Sequence, residues 1–322
     1  MKVLVANHKL DTISGSETFT YTLAEELSRR GFEVEYFTFK KGITSDRLEI
    51  DLGIKYMSLN HYDLILANHN TCVNALFGKG HIIQTCHGIF PKLEKPSVYA
   101  DQYVSISNEV QNYLATLGYP STLIYNGINL SRFKNNKPIN LNPKKILSLC
   151  QSTEANNVIR GAIIDKDIDL IEVNKYSNPV WNIEEVINDV DLVIGLGRSL
   201  YDAMACGRTV ISFDYRHQYM DSYGDGYLRN NLHAALLNNC SGRYSKLSFD
   251  EHSLAQEIEK YSSSDSIYFR NFAEKHLCIS KAVDQYINMF ETYNIDNNIY
   301  LIKYLSNKIG AKTFIKFKKL IK

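Results

Sequence analysis

The chain has 322 residues, enough for two domains of ordinary size. Hydrophobic residues make up 44%, as in a packed globular protein, and a formal net charge of +1 gives no global attraction to nucleic acid or to a membrane. Cys72, Cys86, Cys150, Cys206, Cys240 and Cys278 are scattered with no C-x-x-C pair, which reads as free thiols in a reducing cytoplasm. The first residues lack the apolar core of a signal peptide, and no apolar run is long enough to span a bilayer. The expected location is therefore cytoplasmic, with any membrane contact peripheral.

In chain order, strand-like runs fall at Lys2–Ala6, Val34–Phe39, Ile54–Leu59, Asp63–Ala67, His81–Cys86, Tyr103–Ile106 and Thr122–Tyr125. The strongest helix is Ser16–Arg30, where Phe19, Leu23 and Leu27 recur at helical spacing and Gly31 is a stop. A second helix, Asn108–Leu117, has Ser107 as N-cap and Gly118 as stop. Strands alternating with helices predict parallel pairing through right-handed crossovers. Residues 1–134 thus read as one Rossmann-like domain, and the polar stretch 135–145 as a linker.

The second domain, 146–293, restarts with strands at Ile146–Cys150, Ile168–Val173, Leu192–Ile194 and Val210–Phe213. Helical patterns follow at Ser253–Tyr261, Ile267–Leu277 and Lys281–Tyr293. The predicted class is α/β: two Rossmann-like, doubly wound domains facing a central cleft, the second of them shortened. Ligands of open α/β sheets bind at the C-terminal strand edges, which here face each other.

The run from Gly195 to Ile211 carries the most chemistry. A buried strand leads into the turn Gly195-Leu196-Gly197, then a short helix starting at Arg198 and Ser199. Free N–H groups and the positive end of a helix dipole make such a turn an anion site, and Arg198 would add a charge at its mouth. Asp202 sits one turn into that helix. On the first domain, His87 ends a strand and precedes Gly88, as suits an active-site rim. Gly15, Ser16 and Glu17 open the first long helix, where N–H groups could face a phosphate or an acceptor. Asn126-Gly127 is a tight turn near the expected hinge.

Asp202-Ala-Met-Ala-Cys-Gly-Arg-Thr-Val-Ile211 resembles the "EAMACGxPVI" segment of GT-B glycosyltransferases, in particular family 4 of retaining enzymes. Gly15-Ser16-Glu17 resembles that family's Gly-Gly-x-Glu loop on the acceptor side. The stretch from Tyr103 through Asn126-Gly127-Ile128-Asn129 to Phe133 resembles its "hvaxS…vipNGvDxxxF" region. The resemblance implies donor binding at Gly197, Arg198, Ser199 and Asp202, with Asp202 on the ribose hydroxyls and catalytic His87 near the transferred sugar. It implies a retaining, metal-independent hexosyltransferase without a cofactor. The substrates would be a nucleotide diphosphate sugar and a glycan or lipid-linked acceptor, in assembly of a bacterial cell-surface polysaccharide such as capsule, O-antigen or lipopolysaccharide. Nucleic acid is not an expected partner.

Two departures stand out. The family's Glu-x7-Glu motif is reduced to Ile194 and Asp202, and the loop expected to grip the diphosphate, Ser148–Glu154, has neither Arg nor Lys. Arg160 and Lys166 are the nearest basic replacements. Asp167-Ile168-Asp169 and Asp189-Val190-Asp191 have the spacing of a metal motif but are common by chance, and no metal is assigned. A non-catalytic scaffold or partner subunit and a nucleotide-sugar 2-epimerase are the alternative functions. The tail 294–322 has seven lysines and no acidic residue from Lys303 to Lys322. It reads as a helix returning to the first domain, or as a contact with an anionic membrane.

Overall fold

The computed structural model of the protein describes residues 1–216 and 223–293. The first sheet has seven strands: β1 Lys2–Ala6, β2 Glu33–Phe37, β3 Lys55–Tyr56, β4 Leu64–Ala67, β5 His81–Cys86, β6 Gln102–Ser105 and β7 Thr122–Leu123. Their order is β3-β2-β1-β4-β5-β6-β7, and all pairs are parallel. The period-two geometry of a strand divides its core in two. Val3 and Val5 face α1 (Gly15–Arg29) and α2 (Ile43–Leu52), while Leu4 and Ala6 face α3 (Asn70–Leu76) and α4 (Asn108–Thr116). Helices on both faces explain why these strands are continuous apolar runs instead of alternating ones.

The second sheet contains β8 Lys145–Ser148, β9 Asp169–Glu172, β10 Leu192–Gly195, β11 Thr209–Phe213 and β12 Gly224–Tyr227. Its order is β12-β11-β10-β8-β9, with β12 antiparallel to β11. The sequence reading missed β12, because Gly-Asp-Gly-Tyr has no apolar pattern. Tertiary contact supplies the reason: a Cβ on Gly224 would lie 2.7 Å from the Ser212 carbonyl oxygen. Helices α5 Thr153–Ala162, α6 Ile183–Asn188, α7 Arg198–Ala205, α8 Leu232–Leu236, α9 Glu251–Glu259 and α10 Asp265–His276 complete this domain. Helix α5 was also missed, being polar apart from a narrow buried face of Ala155, Asn156, Ile159 and Ala162.

The last described helix, α11 (Ile279–Thr292), leaves the second domain and packs on α1. Tyr286 reaches Thr85 of β5 at 2.8 Å between hydroxyls. The span expected for the second domain, 146–293, therefore ends in a helix that belongs to the first domain's core. The return expected within 294–322 lies outside the described residues. Where the chain crosses back it runs beside the expected hinge: Ile128 donates to Leu277 at 2.6 Å, and Ile279 donates to Ile128 at 3.0 Å. A Cβ on Gly127 would lie 2.6 Å from the Ile279 Cα, so the close approach of two backbones requires glycine there.

Candidate active site

Both sheets point their C-terminal strand edges at one cavity of about 260 Å³ between the domains. The first domain contributes Gly15 and Ser16 at the start of α1, His87 after β5 and Asn126 in the hinge. The second contributes Gln151 after β8, Lys175 after β9, Gly197, Arg198, Ser199 and Asp202 at the β10–α7 turn, and Arg216 after β11. The loop from β9 to α6 bridges the domains. Its Trp181 stacks edge-on against Tyr21 of α1 at 4.9 Å, with the Arg47 guanidinium 5.5 Å from the indole. On another side Arg243 pairs with Glu109 of α4.

No protein-family model and no curated protein sequence matches the chain. Solved structures do match. AviGT4, a glycosyltransferase involved in avilamycin A biosynthesis, aligns with a TM-score of 0.56 at 10% identity, over 90% of this chain and 97% of its own. An α-glucosyltransferase in complex with UDP and a 13-mer DNA aligns at 0.54 with 11% identity, over 91% of this chain and 100% of its own. A lipopolysaccharide outer core galactosyltransferase, WaaB, aligns at 0.47 with 14% identity, over 85% and 99%. The chain has the GT-B fold. At such identities the likeness concerns architecture, and the chemistry of this GT-B cleft has to be read from its own residues.

The β10–α7 turn leaves the start of its helix open. Gly197 has φ +60° and ψ −126°, a backbone that favours glycine. The N–H groups of Arg198 and Ser199 have no hydrogen bond among the described residues, since the turn's bonds come from Gly197, Leu200 and Tyr201. Arg198 does not stand at the mouth as expected. Its buried guanidinium crosses to the first domain, donating to the Gly127 carbonyl at 3.1 Å and to Thr22 Oγ1 at 2.9 Å. Asp202 lies 3.9 Å from the Arg198 Nε. Burial pushes its carboxyl up to about 6, against the pull of Arg198 and Arg132. Its Oδ1 has no hydrogen-bond partner among the described residues, nor has the buried Oδ1 of Asn126.

The replacements expected for the diphosphate grip lie elsewhere. Arg160 forms a bidentate pair with Glu172 at 2.8 Å, and Lys166 pairs with Glu259 at 2.9 Å. Neither lines the cavity. Lys175 and Arg216 do. Lys175 makes no ion pair among the described residues, its nearest ring being Tyr176 at 4.8 Å. Arg216 lies 3.1 Å from Asp214. Both cations follow the end of a strand, so the strand-edge rule that singled out His87 would have found them.

The first wall is ordered by a polar network. The His87 ring, with Nε2 3.0 Å from Asn68 Oδ1, rests edge-on against Phe19. Burial lowers its basicity to a pKa of about 4, so at neutral pH the imidazole is uncharged. Gly15 and Ser16 border the cavity, and a Cβ on Gly15 would meet open space. Glu17 is turned into its own loop, accepting from Ser14 and, at 2.9 Å, from Ser16. The helix N-cap is Ser14. Both Asp-x-Asp pairs lie at the opposite, N-terminal strand edge. Asp191 there accepts backbone N–H groups of Asn140, Lys144 and Lys145, while Asp167 pairs with Lys144 and Asp189 with Lys137.

Proposed function

We propose that the protein is a glycosyltransferase that moves a sugar from a nucleoside diphosphate sugar to an acceptor hydroxyl. The observation that carries this is the open start of α7, with two N–H groups unengaged among the described residues and the Lys175 and Arg216 cations on the same cavity, facing His87 across a GT-B cleft. In the transfer, the bond from the sugar C1 to the diphosphate oxygen breaks and its electron pair stays with the diphosphate. The acceptor oxygen bonds to C1, and its proton passes to the leaving phosphate, which fits a retaining outcome. N–H donors preorganised at α7 stabilise the charge that develops on that phosphate. His87 lies on the wall where the sugar would sit. The acceptor would be a glycan or a lipid-linked glycan of a bacterial surface polysaccharide. The lysines of 303–322, outside the described residues, would hold the protein on an anionic leaflet. Replacing Lys316, Lys318, Lys319 and Lys322 with Gln should abolish co-sedimentation with anionic vesicles at low salt and leave the melting temperature unchanged.

A thermal-shift panel of nucleosides, nucleoside diphosphates and nucleotide sugars tests the reading. A ligand at a hundred times its dissociation constant adds about 2.7 kcal/mol of stability. A melting temperature unmoved by every diphosphate and nucleotide sugar sinks it. Binding without release of diphosphate would favour a non-catalytic module, the reading that the apolar Ile194 supports.

A further inference from the structure

The hydrogen bonds behind His87 have a direction that can be worked out atom by atom. Thr20 Oγ1 lies 2.8 Å from the Ser16 carbonyl, which only accepts, so the hydroxyl proton is spent there. The lone pairs of the same oxygen must then accept, and they face Asn7 Nδ2 at 2.9 Å and Asn68 Nδ2 at 2.7 Å. Thr20, Asn7 and Asn68 are all at most 1% exposed, so water does not offer an alternative. With its amide nitrogen committed to Thr20, Asn68 must present its carbonyl oxygen to the His87 ring, 3.0 Å from Nε2. A carbonyl oxygen cannot donate. Nε2 therefore carries the proton, and in a neutral imidazole Nδ1 is left as a bare lone pair. Nδ1 has no partner among the described residues, and the ring lines the cavity.

The ring is also fixed in place. Glu94 Oε2 accepts the His87 backbone N–H at 2.6 Å, and Phe19 holds the ring edge. The charged and titratable groups that face His87 are Glu94 from the turn after β5, His69 from the end of β4, and Arg198 from α7 across the cleft. His69 accepts the His8 N–H at Nδ1, so its Nε2–H points at Glu94, 3.5 Å away.

We propose that Asn68 is a positioning residue that locks His87 as the Nε2–H tautomer, so that Nδ1 offers only a lone pair to a hydroxyl of the sugar bound in the cleft. An imidazolium at this place would attract phosphate, and the Nδ1–H tautomer would donate. The lone pair instead selects a hydroxyl donor and separates the sugar's position from the diphosphate's, which belongs to α7. The role given to the hydroxyl rests on the proposed transferase activity. The tautomer does not.

The test is long-range 15N–1H correlation spectroscopy on histidine-labelled full-length protein, with the His87→Ala spectrum assigning the ring. At pH 7 His87 should show a protonated Nε2 and an unprotonated Nδ1. An Nδ1–H ring or an imidazolium overturns the proposal without any variant having to fold. Asn68→Asp keeps the acceptor and adds a charge, so the His87 titration should rise by about 1–3 pH units. The acidic limb of UDP-glucose turnover, with UDP-glucose as the probe donor, should rise with it. Asn68→Leu removes the acceptor and should mix the tautomers, lowering kcat by up to about a hundredfold, the lower end of what a positioned proton partner contributes, at unchanged KM for the donor. An unmoved titration in Asn68→Asp overturns the lock. Normal turnover in His87→Ala overturns the hydroxyl contact even where the tautomer is as expected. The expected tautomer in a protein that turns over no nucleotide sugar supports the lock and falls on the proposed activity alone.

Discussion

Helices α5 and α7 begin at the same edge of the same sheet, after the neighbouring strands β8 and β10. Each start concentrates unpaired N–H groups and a positive dipole end. They are completed differently. Ahead of α5, the N–H groups of Gln151 and Ser152 donate to the Asp214 carboxylate at 3.0 and 3.2 Å, and the Ser152 hydroxyl accepts from Ala155 at 3.0 Å. At α7 the cap is Gly197, which has no side chain to return, and the N–H groups of Arg198 and Ser199 stay open to the cavity. One helix start is sealed by the protein's own anion, and the other is the one proposed to take a ligand's. The loop 148–154, which has neither Arg nor Lys, already cradles a carboxylate where the family resemblance would put a diphosphate.

The comparison can be broken or sharpened by substitution. Asp214→Ala should have the largest effect. It strips a fully buried carboxylate from two N–H groups and from the partly exposed Arg216, and each donor left unpaired costs about 1–3 kcal/mol. Urea unfolding measures this, and a loss below about 1 kcal/mol, the net worth of one ordinary hydrogen bond, would show that α5 is not sealed by Asp214.

Asp202→Asn comes next, and its sign is opposite. The folded carboxyl has a pKa raised to about 6, above that of the unfolded chain. Stability from its tighter proton is therefore full below pH ~4 and is lost as pH rises through 6, by about 3 kcal/mol. The variant should lose this slope and exceed the parent in stability at pH 7. Denaturation midpoints at pH 4, 5, 6 and 7 would decide, and an unchanged slope would assign the titration to another group.

Lys175→Ala should weaken a nucleoside diphosphate by about tenfold or more, as the loss of one charge-assisted contact of roughly 1.5–3 kcal/mol implies, and leave the bare nucleoside unaffected. Equal losses for both ligands by calorimetry would move the diphosphate away from α7. The smallest effect belongs to Arg160→Ala. It breaks an exposed pair on the far side of α5, so diphosphate affinity should stay within error of the parent's. A clear loss would reopen α5 as the binding helix.

Local signals carried much of the architecture. The runs at 2–6 and 81–86 read as strands because both faces are buried, and Phe19, Leu23 and Leu27 marked α1 by their spacing. The glycine turn at 195–197 was visible because its geometry depends on glycine itself. His87 was visible because a strand's end is a position along the chain. Asn68, immediately after β4, obeys the same rule and was missed, since an asparagine has no reactivity to draw attention until its partners are known.

The sequence by itself determined the parallel strands of the two sheets, the turn that opens α7 and the residue types at the strand ends, because hydrophobic period and glycine conformation act over a few residues. Tertiary structure alone decided which way those residues act. Arg198 spends its guanidinium on Gly127 and Thr22, 71 and 176 positions away, and Asp214 fills a helix start 62 positions before it. Helix α11 returns to the first domain because its buried face of Ile279, Ala282, Val283 and Tyr286 finds α1 and β5 there. Charges and hydrogen bonds of this kind are settled by what a side chain meets after folding, and nothing in the spacing along the chain encodes that meeting.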